Sequence, residues 1–332
     1  MRWKLFAAVV VLVGGGLAAA YWFVDEATVV ELMRSLPTVD AAELAKHRDI
    51  ETRLAPSAVP LGTPKPREWL CENKEAGQTF EQYLHDLPVR RDEARHTIYV
   101  CHIGDITAAQ RRVLDVTGEY LQIYFDSPVK LLKTIAVADI PDRAKRRHPE
   151  WGMEQLSTGY LLGELLLPQR PDDALGYIGF TTSDLWSGED SSNFVFGMAL
   201  IRERCGVWSI DRFGDPATDP AAFQTCLRRT LSIATHEFGH ILTLAHCTAF
   251  ECNMNGRNTL PESDRKPLAM CPVCLRKLCW NLNVEPVAYL TRLQEFCERH
   301  GLEAEADGYR KAVALMRSPP AEAAVSTASA AR

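Results

Sequence analysis

One predicted helix, over about residues 220–242, constrains the fold of this chain most, because it carries His236, Glu237 and His240 together. Asp219 followed by proline is a favourable helix start, with the aspartate as N-cap and the proline at the first helical position. Two histidines four residues apart lie one turn apart on the same face, where both imidazoles can bind one zinc ion. Glu237 lies beside the first histidine and can reach a water molecule on that ion instead of the ion itself.

His246 adds a third candidate ligand to this pair. It follows His240 by six residues, where a chain that turns after the helix would bring its imidazole to the same ion. Three protein ligands plus a water form the catalytic type of zinc site, with one position left open. The competing interpretation is a polar helix face with two ordinary histidines. This interpretation is less favoured because three of the nine histidines fall within eleven residues.

Four cysteines directly after the third histidine predict a second metal site. They are Cys247, Cys252, Cys271 and Cys274. Two close pairs separated by about twenty residues suit a tetrahedral four-thiolate zinc site, which is structural because no position stays open. Two disulfides are the alternative, since an exported protein meets an oxidising environment. If any of the other six cysteines form a bridge, Cys205 with Cys226 is the predicted pair.

The N-terminus predicts export. Two basic residues precede an apolar run from Leu5 to Val24, and two acidic residues follow it. This order is typical of a signal anchor with its N-terminus inside, whereas cleavage after Ala20 would make it a signal peptide. A buried core helix is the remaining alternative. Residues 1–24 are therefore predicted to be a signal anchor or signal peptide, and residues 25–63 a linker. The protein would lie in the cell envelope, membrane-anchored with its catalytic domain outside the cytosol, or be secreted or periplasmic.

The pattern between the linker and the metal motifs predicts an α/β fold. Strands are predicted at 97–103, 129–137, 175–180, 194–200 and 207–210. Helices are predicted at 69–87, after a capping box at Thr107 and Gln110, and at 153–167. Strands that alternate with helices indicate an α/β layer. Residues 318–332 lack periodicity and are predicted to be a disordered tail. A net charge of −6 without a long basic run argues against nucleic acid as a partner.

The histidine and cysteine motifs together resemble those of the archaemetzincins. The family signature is H-E-x-x-H-x-x-G-x-x-H-C, then C-x-M, then C-P-x-C, and this chain has HEFGHILTLAHC, CNM and CPVC in the same order. Other similar stretches are PREWL…GQTFEQYL from Pro66, TIYVCHIGD from Thr97, TTSDLW from Thr181, NFVFGMAL from Asn193 and MNGRNTLPESDRKPLAMCPVCLRKL from Met254. The resemblance covers roughly residues 64–316.

The resemblance implies a metzincin-like fold, with a twisted mixed β-sheet and helices plus a small zinc-stapled C-terminal subdomain. The N-terminal catalytic subdomain would span residues 64–246, and the C-terminal subdomain with the four-cysteine site would span residues 247–317. It also implies two zinc ions, one catalytic on the three histidines and one structural on the four cysteines. Met254 would support the catalytic metal from beneath as a packing residue, although a plain core methionine has the same pattern.

One position departs from the family pattern. Thr243 replaces the glycine after the second histidine, where glycine permits a left-handed turn that redirects the chain. A β-branched residue in that conformation costs about 1–3 kcal/mol. The substitution puts the placement of His246 in question but removes no ligand.

These features predict a zinc metallopeptidase that hydrolyses peptide bonds through a zinc-bound water, with Glu237 as the general base. Its partner would be a peptide or protein substrate, and the membrane if residues 1–24 stay uncleaved. The strand predicted at 194–200 could pair with an extended substrate. The first alternative is a catalytically weak or inactive zinc protein that binds peptides or partners, which Thr243 favours and Glu237 opposes. The second is an envelope module whose cysteines are oxidised.

Overall fold

A computed structural model describes residues 11–13, 16–18, 47–188 and 193–318 of the 332-residue chain. The chain divides into two compact units, Met1–Leu44 and Ala45–Arg332. In the first unit, strands β1 (Val11–Val13) and β2 (Gly16–Ala18) pair antiparallel.

The predicted membrane-spanning helix has no support in the described part of the chain. Six residues of the apolar run Leu5–Val24 form β1 and β2 instead of a helix, and the rest of that run lies outside the described residues. Three consecutive glycines inside the run lower its helix propensity. Among the described residues, no helix combines the length and apolarity needed to cross a bilayer.

The second unit alternates strands and helices up to its long central helix and is helical afterwards. Its strands are β3 (Thr97–Ile103), β4 (Val129–Leu131), β5 (Lys145–Arg147), β6 (Glu154–Ser157), β7 (Ala174–Thr181), β8 (Asp184–Trp186), β9 (Gly197–Leu200) and β10 (Cys205–Ser209). Its α-helices are α1 (Ile50–Leu54), α2 (Trp69–Glu72), α3 (Phe80–His85), α4 (Ala108–Tyr124), α5 (Thr158–Tyr160), α6 (Pro220–Ile241), α7 (Leu260–Arg265), α8 (Pro272–Leu282), α9 (Pro286–Arg299) and α10 (Glu303–Arg317).

The main sheet is mixed and has the strand order β4-β3-β7-β10-β9. Its first four strands are parallel, and the outermost strand β9 runs antiparallel to β10. A smaller sheet of order β5-β6-β8 combines one antiparallel and one parallel pairing. The α/β fold with a mixed sheet that the sequence predicts is therefore confirmed.

Layers of side chains cover both faces of the main sheet. Every residue of β3 and β7 is buried, as expected for central parallel strands with helices on either side. On one face, α6 comes so close to β7 that a Cβ at Gly176 would lie 2.5 Å from the Phe238 ring. On the other face lies a cluster that includes Leu161, Leu162 and Leu166 of the π-helical turn after α5. The close packing at Gly176 holds the long helix against the sheet.

Three predicted elements differ from the structure in their bounds or in their type. The helix predicted at 69–87 is broken into α2 and α3, since Gly77 has a positive φ of 73° and Thr79 forms a capping box with Gln82 that starts α3. The helix predicted at 153–167 begins instead with β6, which pairs with β5 and β8. The strand predicted at 129–137 ends at Leu131.

The structure describes part of the predicted linker and one residue of the predicted tail. From His47 onward the predicted linker, residues 25–63, packs into the second unit, where Ile50 and Leu54 of α1 are buried. The preceding residues 25–46 lie outside the described residues. Of the predicted tail 318–332, only Ser318 is described.

Candidate metal centre and active site

Helix α6 begins as the sequence predicts and carries the first two candidate ligands. The Asp219 carboxylate accepts a hydrogen bond of 2.8 Å from the Ala222 N–H, and Pro220 occupies the first turn. His236 is buried near the C-terminal end of the helix, and His240 is half-buried one turn later.

The helix ends in a left-handed turn centred on Thr243. Its φ is +70°, the Thr243 N–H donates to the His240 carbonyl at 2.8 Å, and the Leu244 N–H donates to the Gly239 carbonyl at 3.0 Å. This pair of hydrogen bonds is the Schellman arrangement, in which the position held by Thr243 is usually glycine. The turn that the sequence put in question therefore forms with threonine in place.

A neighbouring segment, residues 73–79, supports this turn and is called the brace below. Gln78 of the brace donates to the Thr243 carbonyl at 3.3 Å and accepts from the Ala245 N–H at 3.2 Å. Gly77 is so close to Thr248 that a Cβ there would clash with its hydroxyl. Surrounding structure that fixes a residue on several sides is what lets a strained backbone persist.

Two further hydrogen bonds fix the turn from the segment beyond the brace. The Thr243 hydroxyl accepts from the Val89 N–H at 3.1 Å, and the Tyr83 hydroxyl donates to the Leu242 carbonyl at 2.9 Å. Threonine thus contributes a contact that glycine could not make, which offsets part of the cost of its left-handed backbone.

The turn brings His246 back to the two histidines of α6. The candidate ligand atoms of His236, His240 and His246 all lie within 4.8 Å of one another. The Nε2 atoms of His236 and His240 are 3.1 Å apart. Donor atoms at this separation can share one zinc ion at about 2.0–2.1 Å each.

The other ring nitrogen of each histidine is already engaged. His236 Nδ1 lies 2.7 Å from the Asn253 carbonyl oxygen, and His240 Nδ1 lies 2.7 Å from that of Leu244. His246 Nδ1 lies 2.9–3.0 Å from both carboxylate oxygens of Glu75. Because each Nδ1 donates its proton to an oxygen acceptor, each Nε2 keeps a lone pair for a metal. The donor set therefore fits zinc.

Burial keeps two of these imidazoles neutral. Burial, together with the neighbouring histidines, lowers the pKa of His236 well below its ordinary value and that of His240 to about 4. A neutral imidazole is the form that binds a metal. Burial also raises the pKa of Glu237 to about 7, although the Arg257 guanidinium opposes this shift. A carboxyl group with a pKa near 7 is suited to general base and acid catalysis.

The histidines and Glu237 open into a cleft of about 460 Å³. One wall is the segment 193–197, which leads into the edge strand β9 and includes Phe194 and Phe196. The lining also includes the polar residues Arg257 and Ser263.

Met254 packs against helix α6 at Gly239, between His236 and His240. It is fully buried, and a Cβ at Gly239 would lie 2.6 Å from its sulfur atom. Its carbonyl accepts from the Cys247 N–H at 2.7 Å, which ties the chain after the third histidine to this methionine. The small residue between the two histidines of α6 is therefore required by the methionine that packs there.

The four cysteines also come together. The sulfur atoms of Cys247, Cys252, Cys271 and Cys274 lie within 4.8 Å of one another, and all four residues are buried. Burial raises the pKa of Cys252, and hydrogen bonding with Cys247 raises that of Cys274. Four thiolates can coexist in such a place only if a cation neutralises them, so this cluster also fits zinc.

The structure shows no disulfide among the cysteines, all ten of which lie in its described part. The predicted Cys205–Cys226 bridge is therefore wrong, because Cys205 lies in β10 and Cys226 in α6, and both are buried free thiols.

Three residues at the site, Glu75, Arg257 and Asn253, were not found by sequence reasoning. Glu75 contacts His246, and the Arg257 guanidinium donates to the Asn253 carbonyl at 2.5 Å, the same oxygen that His236 contacts. Gly77 and the capping box at Thr79 could have shown from the sequence that the predicted helix 69–87 is interrupted, so that Glu75 lies in a loop between α2 and α3.

Known proteins are similar to much of this chain. The profile of Peptidase family M54 matches residues 168–279. Archaemetzincin-2 of Pongo abelii is 31% identical over 251 residues, which cover 66% of this chain and 69% of that protein. Archaemetzincin of Thermococcus kodakarensis is 37% identical over 133 residues, which cover 37% of this chain and 68% of that protein.

Solved structures also include similar proteins. The archaemetzincin from Methanopyrus kandleri is 27% identical, matches with a TM-score of 0.46, and covers 58% of this chain and 99% of its own. The sequence identity to archaemetzincin-2, which extends over more than two thirds of that protein, shows the family. This chain belongs to the archaemetzincins and is a zinc metallopeptidase.

Proposed function

We propose that this metallopeptidase hydrolyses peptide bonds at a zinc ion held by His236, His240 and His246. The observation that carries the proposal is the engagement of all three Nδ1 atoms by oxygen acceptors, which leaves three Nε2 donors for one ion. A three-histidine set leaves the fourth position open, as a catalytic site requires.

Glu237 would act as the general base. Zinc held at this site would polarise the scissile carbonyl and lower the pKa of a water molecule to about 7. Glu237 follows the first ligand on the cleft side of α6, where its carboxylate can take a proton from water and pass it to the leaving amine. Burial favours the protonated form of this carboxyl group, which supports the second of these transfers.

The edge strand β9 and the residues before it would bind the substrate. β9 is the outermost strand of the main sheet, and segment 193–197 lines the cleft. A peptide that adds a strand at this edge would place a backbone carbonyl beside the histidines. A peptide or protein substrate in extended conformation is therefore proposed.

A second zinc ion on the four cysteines would be structural. This ion would join the loop after His246 to the start of α8, because Cys271 is the N-cap residue of that helix. The zinc content proposed for the chain is therefore two ions. Export outside the cytosol remains a prediction from the sequence of residues 1–24.

Zinc content and peptide cleavage of three full-length proteins would test this function. We expect two zinc ions per chain in the wild type and in Glu237→Gln, and fewer in His246→Ala. Cleavage of a peptide library should fall by about 10²–10⁴-fold in Glu237→Gln, since general acid–base catalysis contributes this much. Glu81→Gln, the same change on an exposed residue of α3, is the matched control.

Two outcomes would contradict the proposal. Zinc content that does not respond to His246→Ala would exclude the three-histidine site. Full zinc content without any cleavage by the wild type would favour the alternative function, a zinc protein that binds peptides without hydrolysing them.

A further inference from the structure

The three candidate zinc ligands differ in the group that orients them. His236 and His240 contact backbone carbonyl oxygens, which no side-chain substitution can remove. His246 instead contacts a side chain, with its Nδ1 at 2.9 and 3.0 Å from the two carboxylate oxygens of Glu75. His246, the ligand that follows the strained turn at Thr243, is thus the one that a carboxylate orients.

We propose that Glu75 is a positioning residue for the third zinc ligand, an inference that rests on the proposed function. Its carboxylate accepts a hydrogen bond from the Nδ1–H of His246, which fixes the tautomer that keeps the Nε2 lone pair free for the metal. A carboxylate in this place also makes the imidazole a stronger donor to the metal, and loss of such a partner usually weakens metal binding by 10–100-fold.

The brace is anchored on both sides of Glu75. At its start, the Asn73 N–H donates to the Trp69 carbonyl at 2.7 Å. At its end, the buried Lys277 ammonium donates to the Gln78 carbonyl at 2.5 Å. Only a few residues separate these two anchors, so the backbone at Glu75 has little freedom to move away from His246.

The surroundings of the pair exclude part of the solvent. The His246 side chain is 17% exposed and that of Glu75 is 30% exposed. The Trp69 ring lies edge-on to the His246 ring, with centroids 5.1 Å apart, and the backbone N–H of Trp69 donates to the Glu262 carboxylate at 3.1 Å. A hydrogen bond fully open to water competes with solvent, whereas this contact is shielded on the Trp69 side.

The role of Glu75 can be tested by the dissociation constant of the zinc ion that a chelator removes from the three-histidine site, called the labile zinc below. Full-length wild type, Glu75→Ala, Glu75→Gln and His246→Ala would be treated with a chelator that spares the four-cysteine site and then titrated with zinc against a chromophoric competitor. We expect Glu75→Ala to raise the dissociation constant about 10–100-fold. Glu75→Gln keeps a neutral acceptor and should fall between Glu75→Ala and the wild type. Glu81→Gln should match the wild type.

Cobalt substitution separates positioning from a general structural role. The visible absorption of Co²⁺ at the histidine site reports ligand geometry, so Glu75→Ala should shift the band and Glu75→Gln should restore most of it. The zinc-free proteins should have equal melting temperatures. A lower melting temperature of zinc-free Glu75→Ala, with unchanged zinc binding and cobalt absorption, would overturn the proposal.

The His246→Ala variant distinguishes this proposal from the function on which it rests. If His246→Ala loses the labile zinc and Glu75→Ala binds it like the wild type, the role of Glu75 is refuted and the three-histidine site stands. If His246→Ala also binds zinc like the wild type, the three-histidine site is refuted together with the role of Glu75.

Discussion

Replacement of Thr243 by glycine or alanine should show whether its left-handed backbone is strained. Both substitutions remove the hydroxyl that accepts the Val89 N–H, so the two variants differ only in the Cβ atom at a φ of +70°. In ordinary helical backbone, alanine is more stable than glycine by about 0.5–1 kcal/mol. At Thr243 the order should reverse.

The expected magnitudes follow from the contacts of this residue. A Cβ in the left-handed region costs about 1–2 kcal/mol, which exceeds the entropic advantage of alanine. The glycine variant should therefore be more stable than the alanine variant by about 1 kcal/mol. Relative to the wild type, glycine relieves the strain but loses a hydrogen bond worth about 0.5–1.5 kcal/mol, so the net change should be within about 1 kcal/mol of zero.

Thermal unfolding of the zinc-loaded full-length variants would measure this order. A difference of 1 kcal/mol corresponds to a melting temperature about 1–2 °C higher for Thr243→Gly than for Thr243→Ala in a unit of this size. Gly163→Ala is the matched control, because a Cβ at Gly163 meets no atom within 4 Å and should be neutral or stabilising. If Thr243→Ala melts at or above the temperature of Thr243→Gly, the left-handed strain is refuted.

Three further changes have defined outcomes. Gly239→Ala should lower the melting temperature, because its Cβ would lie 2.6 Å from the Met254 sulfur and such overpacking costs about 1–3 kcal/mol; an unchanged value would contradict the close approach. Cys274→Ser should remove one zinc ion per chain by elemental analysis, and full zinc content would argue against the four-cysteine site. Burial raises the pKa of Glu237 from 4.5 to about 7, so without the labile zinc the folded state binds this proton more tightly and stability falls as pH rises from about 4.5 to 7. Urea unfolding of the zinc-free proteins should therefore show that Glu237→Gln is more stable than the wild type at pH 8, by about 3 kcal/mol at most. Near pH 4 the two proteins should be equally stable. Equal stability at both pH values would refute the buried carboxylate.

Local patterns in the sequence predicted the elements that local physics determines. The N-cap at Asp219, the capping box at Thr107 and Gln110, and the strand Thr97–Ile103 all appear as expected. Each depends on residues within a few positions of one another, either through a side-chain cap or through a run of β-branched and aromatic residues. The spacing of His236 and His240 likewise determines their common face once the helix forms.

The tertiary structure decided what joins distant parts of the chain. Glu75 and His246 are 171 residues apart, and nothing in the sequence near either one predicts their contact. The same holds for Gln78 against Thr243, which supports a turn that local preference disfavours. The sequence by itself determined which residues could bind zinc, because ligand chemistry and helix periodicity are local. The fold decided how those ligands are oriented, because the hydrogen bonds that hold them come from segments that only packing brings together.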